Sequence, residues 1–278
     1  MIGILGGLTA ALCWGLSTVV ASRSTRILGS QQALAYVMLL GLVALLVVTP
    51  ATGLPAHAGP RSYAWAVLAG VGSTAGLSMM YRALRLGKVG VVAPIASTEG
   101  ALAALFAVAL GERLTAGVAV CLVVVACGVL VVTMRGSTAD IHLRPSLYAF
   151  TAACFFGVNL VASAHAGDAL GVLWTILIAR IVGFAGICAP LLLRGALPLP
   201  GRAWWMVVFS AAAEVMGYVA YLIGSHHGVA IPAVLGSQFA AVATIGSFLV
   251  FGERINRRQL AGAAVIVAGV SALAALQA

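Results

Sequence analysis

The sequence contains very few charged residues. Asp, Glu, Lys and Arg account for 8% of its 278 residues, whereas soluble domains carry about a quarter. Only six residues are acidic against fifteen basic ones, so the formal net charge is +9. Hydrophobic residues make up 63% of the chain, and its mean hydropathy is +1.14. A water-soluble core cannot hide this much apolar surface, so we predict an integral membrane protein surrounded by lipid.

The chain also lacks the motifs of enzymes, metal sites and nucleic-acid-binding proteins. It has no HExxH, GxSxG or P-loop motif, which argues against an intramembrane protease or an ATP-driven pump. The five cysteines fall in apolar runs without a CxxC pair, as small buried side chains do. His165 and Asp168 lie three residues apart without further metal ligands. We therefore predict a protein that is not an enzyme, without a cofactor, a bound metal or a nucleic-acid partner.

Ten apolar segments run along the sequence. A helix needs about 20 apolar residues to cross the hydrocarbon core of a bilayer, and ten stretches approach this length. The loops between them are too short for a soluble domain, so the predicted fold is an all-α membrane protein with ten transmembrane helices. The predicted segments are Ile2–Ser22, Gln32–Val48, Tyr63–Leu84, Val89–Leu110, Ala116–Met134, Ser146–Ala164, Leu170–Leu193, Ala203–Gly224, Val229–Phe251 and Gln259–Leu276.

The two halves of the chain resemble each other. Gly111-Glu112-Arg113 recurs as Gly252-Glu253-Arg254 at an offset of 141 residues, and each copy precedes an apolar run. Trp14 matches Phe156 at an offset of 142. The repeats are placed at residues 1–137 and 146–278. Because five helices per repeat is an odd number, the second repeat enters the membrane from the opposite side, and the repeats are predicted to be inverted.

Basic residues are distributed unevenly between the two sides of the predicted bundle. When the segments alternate in direction, the loops on one side carry twelve Lys and Arg residues, and those on the other carry only Arg61 and Arg113. Cytoplasmic loops carry an excess of Lys and Arg. The loop charges therefore predict that both termini lie outside the cell.

Several short motifs resemble those of a known family. Leu12-Cys13-Trp14-Gly15, Tyr81–Gly87, Val92-Ala93-Pro94-Ile95 and the two Gly-Glu-Arg sequences resemble the EamA type of the drug/metabolite transporter superfamily, over essentially the whole chain. Members are ten-helix inverted-repeat carriers, and many export amino acids, other small metabolites or drugs. The resemblance implies a central cavity formed by segments 1, 3, 4, 6, 8 and 9. It also implies cytoplasmic termini, the opposite of what the loop charges predict.

Three ionisable residues, Glu99, Arg180 and Glu214, stand out at membrane depth within the predicted segments. Such residues are costly in a bilayer and are functional candidates by default. Glu214 has three interpretations: it carries a proton for coupling, it holds a substrate ammonium group, or it pairs with Arg180 and joins segments 7 and 8. Arg180 is interpreted as a structural cation, with binding of a substrate carboxylate as the alternative.

Polar and aromatic residues recur at matching positions in both repeats. Segments 3 and 8 each carry a stripe of them with the helical spacing i, i+4, i+7, so we predict that they line one cavity for an amphiphilic substrate. The candidate substrate-binding residues are Trp14, Ser17, Thr74, Ser78, Tyr81, Ser97, Glu99, Phe156, Asn159, Glu214, Tyr218, Tyr221 and Gln238. Tyr81 and Tyr221, near helix ends, alternatively belong to an interfacial belt. Pro94 and Pro232 are predicted to kink their helices beside the cavity.

These features lead to a first hypothesis and several alternatives. The first is a secondary transporter that exports small metabolites, most of all amino acids, by alternating access, with or without proton coupling. One alternative is an exporter of cationic drugs that uses Glu99 or Glu214 as the ammonium anchor. Others are a flippase for lipid-linked sugars and a non-transporting membrane scaffold. The protein is expected in the inner (plasma) membrane as a multi-pass monomer or homodimer, with a small-molecule substrate.

Overall fold

The computed structural model describes residues 2–55, 58–109, 143–225 and 230–252, together with isolated residues between 117 and 124 and between 257 and 272. Every regular element in the described stretches is helical. The predicted fifth and tenth segments lie largely outside the described residues, as do both Gly-Glu-Arg sequences apart from Gly252. The helices are α1 (Ile2–Leu28), α2 (Ser30–Val48), α3 (Pro60–Leu86), α4 (Val89–Ala96), α5 (Glu99–Ala109), α6 (Leu143–Leu170), α7 (Val172–Gly183), α8 (Ala189–Leu193), α9 (Trp204–Ser225), α10 (Ala230–Ser237) and α11 (Phe239–Phe251).

Five helical stretches in the described residues are long and apolar enough to cross a membrane. They are Ile2–Leu28, Ser30–Thr52, Leu143–Leu170, Val172–Leu193 and Gly201–Ser225. The 27 residues of α1 span roughly 40 Å, more than the thickness of about 30 Å of the hydrocarbon core. The helix α3 is equally long, but its hydroxyl and basic residues make it less apolar. These lengths agree with a multi-pass membrane protein.

The fourth and ninth predicted segments are each interrupted at the same place. The first is split into α4 and α5 at Ser97 and Thr98, and the second into α10 and α11 at Gln238. Ser97 and Gln238 are 141 positions apart and have nearly the same backbone angles, φ −67° and ψ −6° against φ −70° and ψ 0°. Both repeats therefore contain a discontinuous helix with an equivalent break.

Side-chain hydroxyls replace helical hydrogen bonds at the first break. Pro94 has no N–H to donate to the preceding turn, which weakens the helix there. Ser97 Oγ donates to the carbonyl of Pro94 and Thr98 Oγ1 to that of Ile95, both at 2.8 Å. Backbone carbonyls inside a bilayer need such partners because lipid offers none. The break is therefore stable without exposing backbone polar groups to lipid.

The two halves pack against each other reciprocally. The helix α1 packs on α9, α10 and α11 of the second half, and α6 packs on α3, α4 and α5 of the first. Arg26 Nη2 donates to the carbonyl of Gly87 at 3.2 Å, which joins the C-terminal ends of α1 and α3. Gly87 also lies against Pro145, near the start of α6. Since α6 begins where α1 ends, these two equivalent helices run in opposite directions.

Candidate functional site

A central cavity lies between the two halves. It contains about 640 Å³ of space not occupied by atoms, including its open mouth. Its walls come from α1, α3, α5, α6, α9 and α11, which correspond to segments 1, 3, 4, 6, 8 and 9, the six that the family resemblance implied. The lining residues are Trp14, Ser17, Thr18, Ala21, Ser73, Leu77, Met80, Tyr81, Leu84, Glu99, Phe156, Asn159, Leu160, Glu214, Tyr218 and Phe239. Apolar walls with a few converging polar groups are typical of a ligand site.

Two aromatic rings in the cavity wall rest on glycines of the opposite half. Trp14 of α1 lies on Gly217 of α9, where an added Cβ would be 2.6 Å from Trp14 Nε1. Phe156 of α6 lies on Gly76 of α3, where an added Cβ would be 2.5 Å from Phe156 Cδ1. Gly76 and Gly217 are 141 positions apart. The two repeats therefore use the same contact, with the first helix of each half resting on the third helix of the other.

The cavity is asymmetric along the membrane normal. On α1 and α3 its lining reaches Ala21 and Leu84, towards the end of the bundle where Arg26 meets Gly87. At the opposite end, α1 and α9 are in backbone contact, because a Cβ added at Gly6 would lie 2.5 Å from the carbonyl oxygen of Ala220. The space therefore extends from the middle of the bundle towards the arginine-bearing end.

Two carboxylates face the cavity. Glu99 begins α5, directly after the helix break, and is 5% exposed. Glu214 projects from α9, and its Oε2 lies 3.7 Å from Nη2 of Arg180 on α7. Arg180 is not itself in the cavity wall, because it lies behind Glu214 and contacts α2, where its Nη1 is 3.3 Å from Met38 Sδ. The site thus combines two acidic groups in the wall with one cation behind it.

A hydrogen bond in the cavity wall joins two helices of the second repeat. Tyr218 Oη donates to Asn159 Oδ1 at 2.7 Å, which joins α9 to α6. Both residues are less than 9% exposed. A buried amide facing lipid would be costly, and this bond meets part of its hydrogen-bonding capacity. Tyr218 therefore positions Asn159 at the edge of the cavity.

Eight of the predicted site residues lie together in the cavity wall: Trp14, Ser17, Tyr81, Glu99, Phe156, Asn159, Glu214 and Tyr218. Thr74 and Ser78 lie behind the wall on α3, and Tyr221 lies behind Trp14, with ring centroids 6.0 Å apart. Tyr81 and Tyr221 are 2% and 0% exposed, so they are core residues, and the interfacial-belt interpretation is wrong.

The remaining predicted residues mark helix breaks and helix contacts. Ser97 and Gln238 are the break residues themselves, and neither is in the cavity wall. Pro94 is buried in α4, and Pro232 packs against Gly7 and Gly224. The breaks follow these prolines by three and six residues. The prolines therefore precede the interruptions but do not border the cavity.

Sequence analysis missed half of the cavity wall. Ser73, Leu77, Met80 and Leu84 line it together with Tyr81 on one face of α3. Their spacing of three and four residues is a signal that was available, but most are apolar and resemble ordinary core residues. No group of three potential metal ligands occurs in the part of the chain that the structure describes.

Comparison with known proteins agrees with this architecture. One solved crystal structure matches over 99% of this chain and 97% of its own, with a TM-score of 0.69 and 20% sequence identity, which at this identity establishes the fold. No curated protein matches the chain. The model of the EamA-like transporter family matches twice, at residues 1–134 and 143–275. With both halves matched, the chain belongs to the EamA-like transporter family within the drug/metabolite transporter superfamily.

Proposed function

We propose that this protein is a secondary transporter that exports small metabolites, most of all amino acids, from the cell. It works by alternating access between two inverted five-helix repeats, which together form ten transmembrane helices in the inner (plasma) membrane. The opposite directions of α1 and α6 and the reciprocal packing of the halves support the inverted arrangement. Coupling to protons fits the two carboxylates in the cavity wall.

The main observation behind this proposal is the cavity between the repeats. Trp14, Phe156 and Tyr218 provide apolar and aromatic surface, and Glu99 and Glu214 provide acidic groups, within one cavity. Such a space accepts a small molecule that has an apolar part and a charged part. A non-transporting scaffold has no use for a cavity with buried charges, which are costly in a bilayer.

The position of the cavity also suggests which state the structure represents. Its lining extends towards the end of the bundle where the basic residues Arg23, Arg26, Arg82 and Arg85 lie. If that end is cytoplasmic, as the charge distribution predicts, the cavity extends towards the cytoplasm. An exporter loads its substrate from that side, so this is the substrate-accepting form of the cycle.

One alternative keeps the same site but changes the substrate. Among the described residues the cavity region holds two acidic side chains and one arginine. This charge balance favours an exporter of organic cations, with Glu99 or Glu214 as the ammonium anchor. Glu214→Gln is then expected to abolish transport of cations and to spare neutral substrates.

Counterflow in proteoliposomes tests the proposed function. Purified protein is reconstituted with a mixture of unlabelled amino acids inside, and uptake of each labelled amino acid is measured. Ser73→Phe fills the cavity and should abolish counterflow. Val71→Phe adds the same side chain two residues away on the 46%-exposed lipid-facing side of α3 and should leave it intact. If folded wild-type protein carries no amino acid, amino-acid export is refuted. If both variants behave alike, the cavity is not the transport site.

A further inference from the structure

The Arg180–Glu214 pair is incompletely formed. The separation of 3.7 Å between Nη2 and Oε2 is too long for the charge-assisted hydrogen bonds of 2.7–2.9 Å that close pairs make. Arg180 is 2% exposed, yet its Nη2 is buried without a hydrogen-bond acceptor. Its Nη1 contacts only a thioether, which is a weak acceptor. A buried guanidinium with an unused donor is costly, so this group has unmet capacity for an anion.

Three hydroxyl groups with the same unmet capacity occur on α3. The oxygens of Thr74, Ser78 and Tyr81 are buried and have no hydrogen-bond partner. Their spacing of i, i+4, i+7 places them on one stripe of the helix. Thr74 Oγ1 would lie 3.1 Å from a Cβ added at Gly183, one turn after Arg180, so this stripe faces α7. The Thr74 end of the stripe therefore faces the helix that carries Arg180, and its Tyr81 end reaches the cavity wall.

The backbone of the helix that carries Arg180 is irregular next to this cluster. Directly after Gly183, the residues Phe184–Cys188 form a π turn, and Pro190 follows. Pro190 cannot donate a helical hydrogen bond, which accounts for the irregular turn. Turns of this kind are frequent at functional sites because they shift side chains relative to a regular helix.

We propose that the Arg180–Glu214 pair opens to receive both ends of a zwitterion. The carboxylate of the substrate binds Arg180 together with the hydroxyls of the α3 stripe, and its ammonium group binds the released Glu214. Glu214 is the group that moves, because it lines the cavity, whereas Arg180 lies behind it. The apolar part of the substrate then lies against Trp14 and Phe156. This inference rests on the proposed function and specifies the substrate class.

The physical reason for this selectivity is that every buried charge must keep a partner of opposite sign. An ion pair in a low-dielectric site can be exchanged for two other ion pairs without leaving a buried charge unpaired. A substrate with only a carboxylate or only an ammonium group would satisfy one member and leave the other alone. Uncompensated buried charges cost several kcal/mol, which corresponds to a loss of roughly 100-fold or more in affinity. The site should therefore reject both types of singly charged analogue.

Matched ligand series test the proposal. Leucine is compared with isopentylamine, which lacks the carboxylate, and with 4-methylpentanoate, which lacks the ammonium group. Phenylalanine is compared with phenethylamine and 3-phenylpropanoate in the same way. Dissociation constants come from the concentration dependence of the thermal midpoint of the detergent-solubilised full chain. We expect at least one amino acid to bind about 100-fold more tightly than both of its analogues.

The variant Arg180→Met/Glu214→Gln separates this role from a merely structural ion pair. Replacing both partners of a buried pair is tolerated far better than replacing one, so this variant is expected to fold. It should bind leucine and isopentylamine within about threefold of each other. Arg194→Met, at an exposed position shortly after α8, provides the same substitution outside the site and should keep the wild-type ratio.

Three results would overturn the inference. One is tight binding of the singly charged analogues by the wild type. Another is a double variant that still prefers the zwitterion, which would make the pair a structural link between α7 and α9. The last is transport of singly charged substrates alone. After any of these results, counterflow shows whether the proposed transport function still holds. If no substrate gives counterflow, the proposed function and this inference both fail.

Discussion

Replacing Gly217 by alanine should destabilise the protein by displacing Trp14. The added Cβ would lie 2.6 Å from Trp14 Nε1, 2.7 Å from Cδ1 and 3.2 Å from the Cβ of Cys13, whereas ordinary contacts begin at 3.4 Å. The ring must therefore move by at least about 0.8 Å, from 2.6 to 3.4 Å. It is held from behind by the ring of Tyr221, 6.0 Å away. Overpacking of this kind costs about 1–3 kcal/mol, or roughly 2–10 °C in the thermal midpoint.

Thermal unfolding followed by fluorescence-detected size exclusion measures this cost. Gly186→Ala is the matched control, because a Cβ at Gly186 meets nothing within 4 Å. Gly76→Ala should cost about as much as Gly217→Ala, since Phe156 makes the equivalent contact. In a Trp14→Ala background, Gly217→Ala should cost almost nothing, because the ring that it displaces is gone. A full cost in that background, or equal midpoints for the Gly217 and Gly186 variants, would refute the explanation.

Three further predictions concern the cavity wall and the orientation. Tyr218→Phe removes the donor to Asn159 and should lower the free energy of unfolding by about 1–2 kcal/mol. This cost should be smaller when Asn159 is replaced by leucine. Equal costs in both backgrounds would mean that the 2.7 Å hydrogen bond does not contribute to stability. Arg180→Met alone should reduce the folded yield by far more than Arg180→Met/Glu214→Gln. The single variant leaves a buried carboxylate without its cation, which destabilises the fold by about 3–5 kcal/mol. Equal yields of the two variants would contradict this explanation. The loop charges predict that a green fluorescent protein fused to the C-terminus is dark and an alkaline phosphatase active, and the opposite pattern would support the usual family orientation.

The long helices are predictable from sequence because each requires only a sufficiently long apolar run. Their ends are less so. The helix α1 continues to Leu28, six residues beyond its predicted end at Ser22. Within this extension Ser24 and Thr25 bond their hydroxyls to carbonyls of the preceding turn, at 3.1 and 3.0 Å. Apolar runs mark the part of a helix that crosses lipid, and they carry no information about a polar extension beyond it.

The helix breaks and the cavity partners depend on tertiary structure. Pro94 predicts a weakness in segment 4, but the break forms three residues later, where Ser97 and Thr98 can satisfy the freed carbonyls. The matching of Trp14 with Phe156 is visible in the repeat. Their glycine partners are not, because a glycine acquires a packing role only when a ring from another helix approaches it. The sequence allows pairing of Arg180 with Glu214 as one of several hypotheses, and the incomplete geometry of the pair appears only in three dimensions.

The reciprocal packing of the two halves has a consequence for biosynthesis. Ser17 Oγ of α1 and the backbone oxygen of Ser210 on α9 lie 3.5 Å apart, yet they are separated by 193 positions in the chain. When the ribosome delivers α1 to the membrane, the surface that will receive it has not been translated. The glycine-lined face of α1 therefore stays exposed to lipid until nearly the whole polypeptide has been inserted. A nascent chain arrested after the first repeat should remain unassembled and be accessible to quality-control proteases.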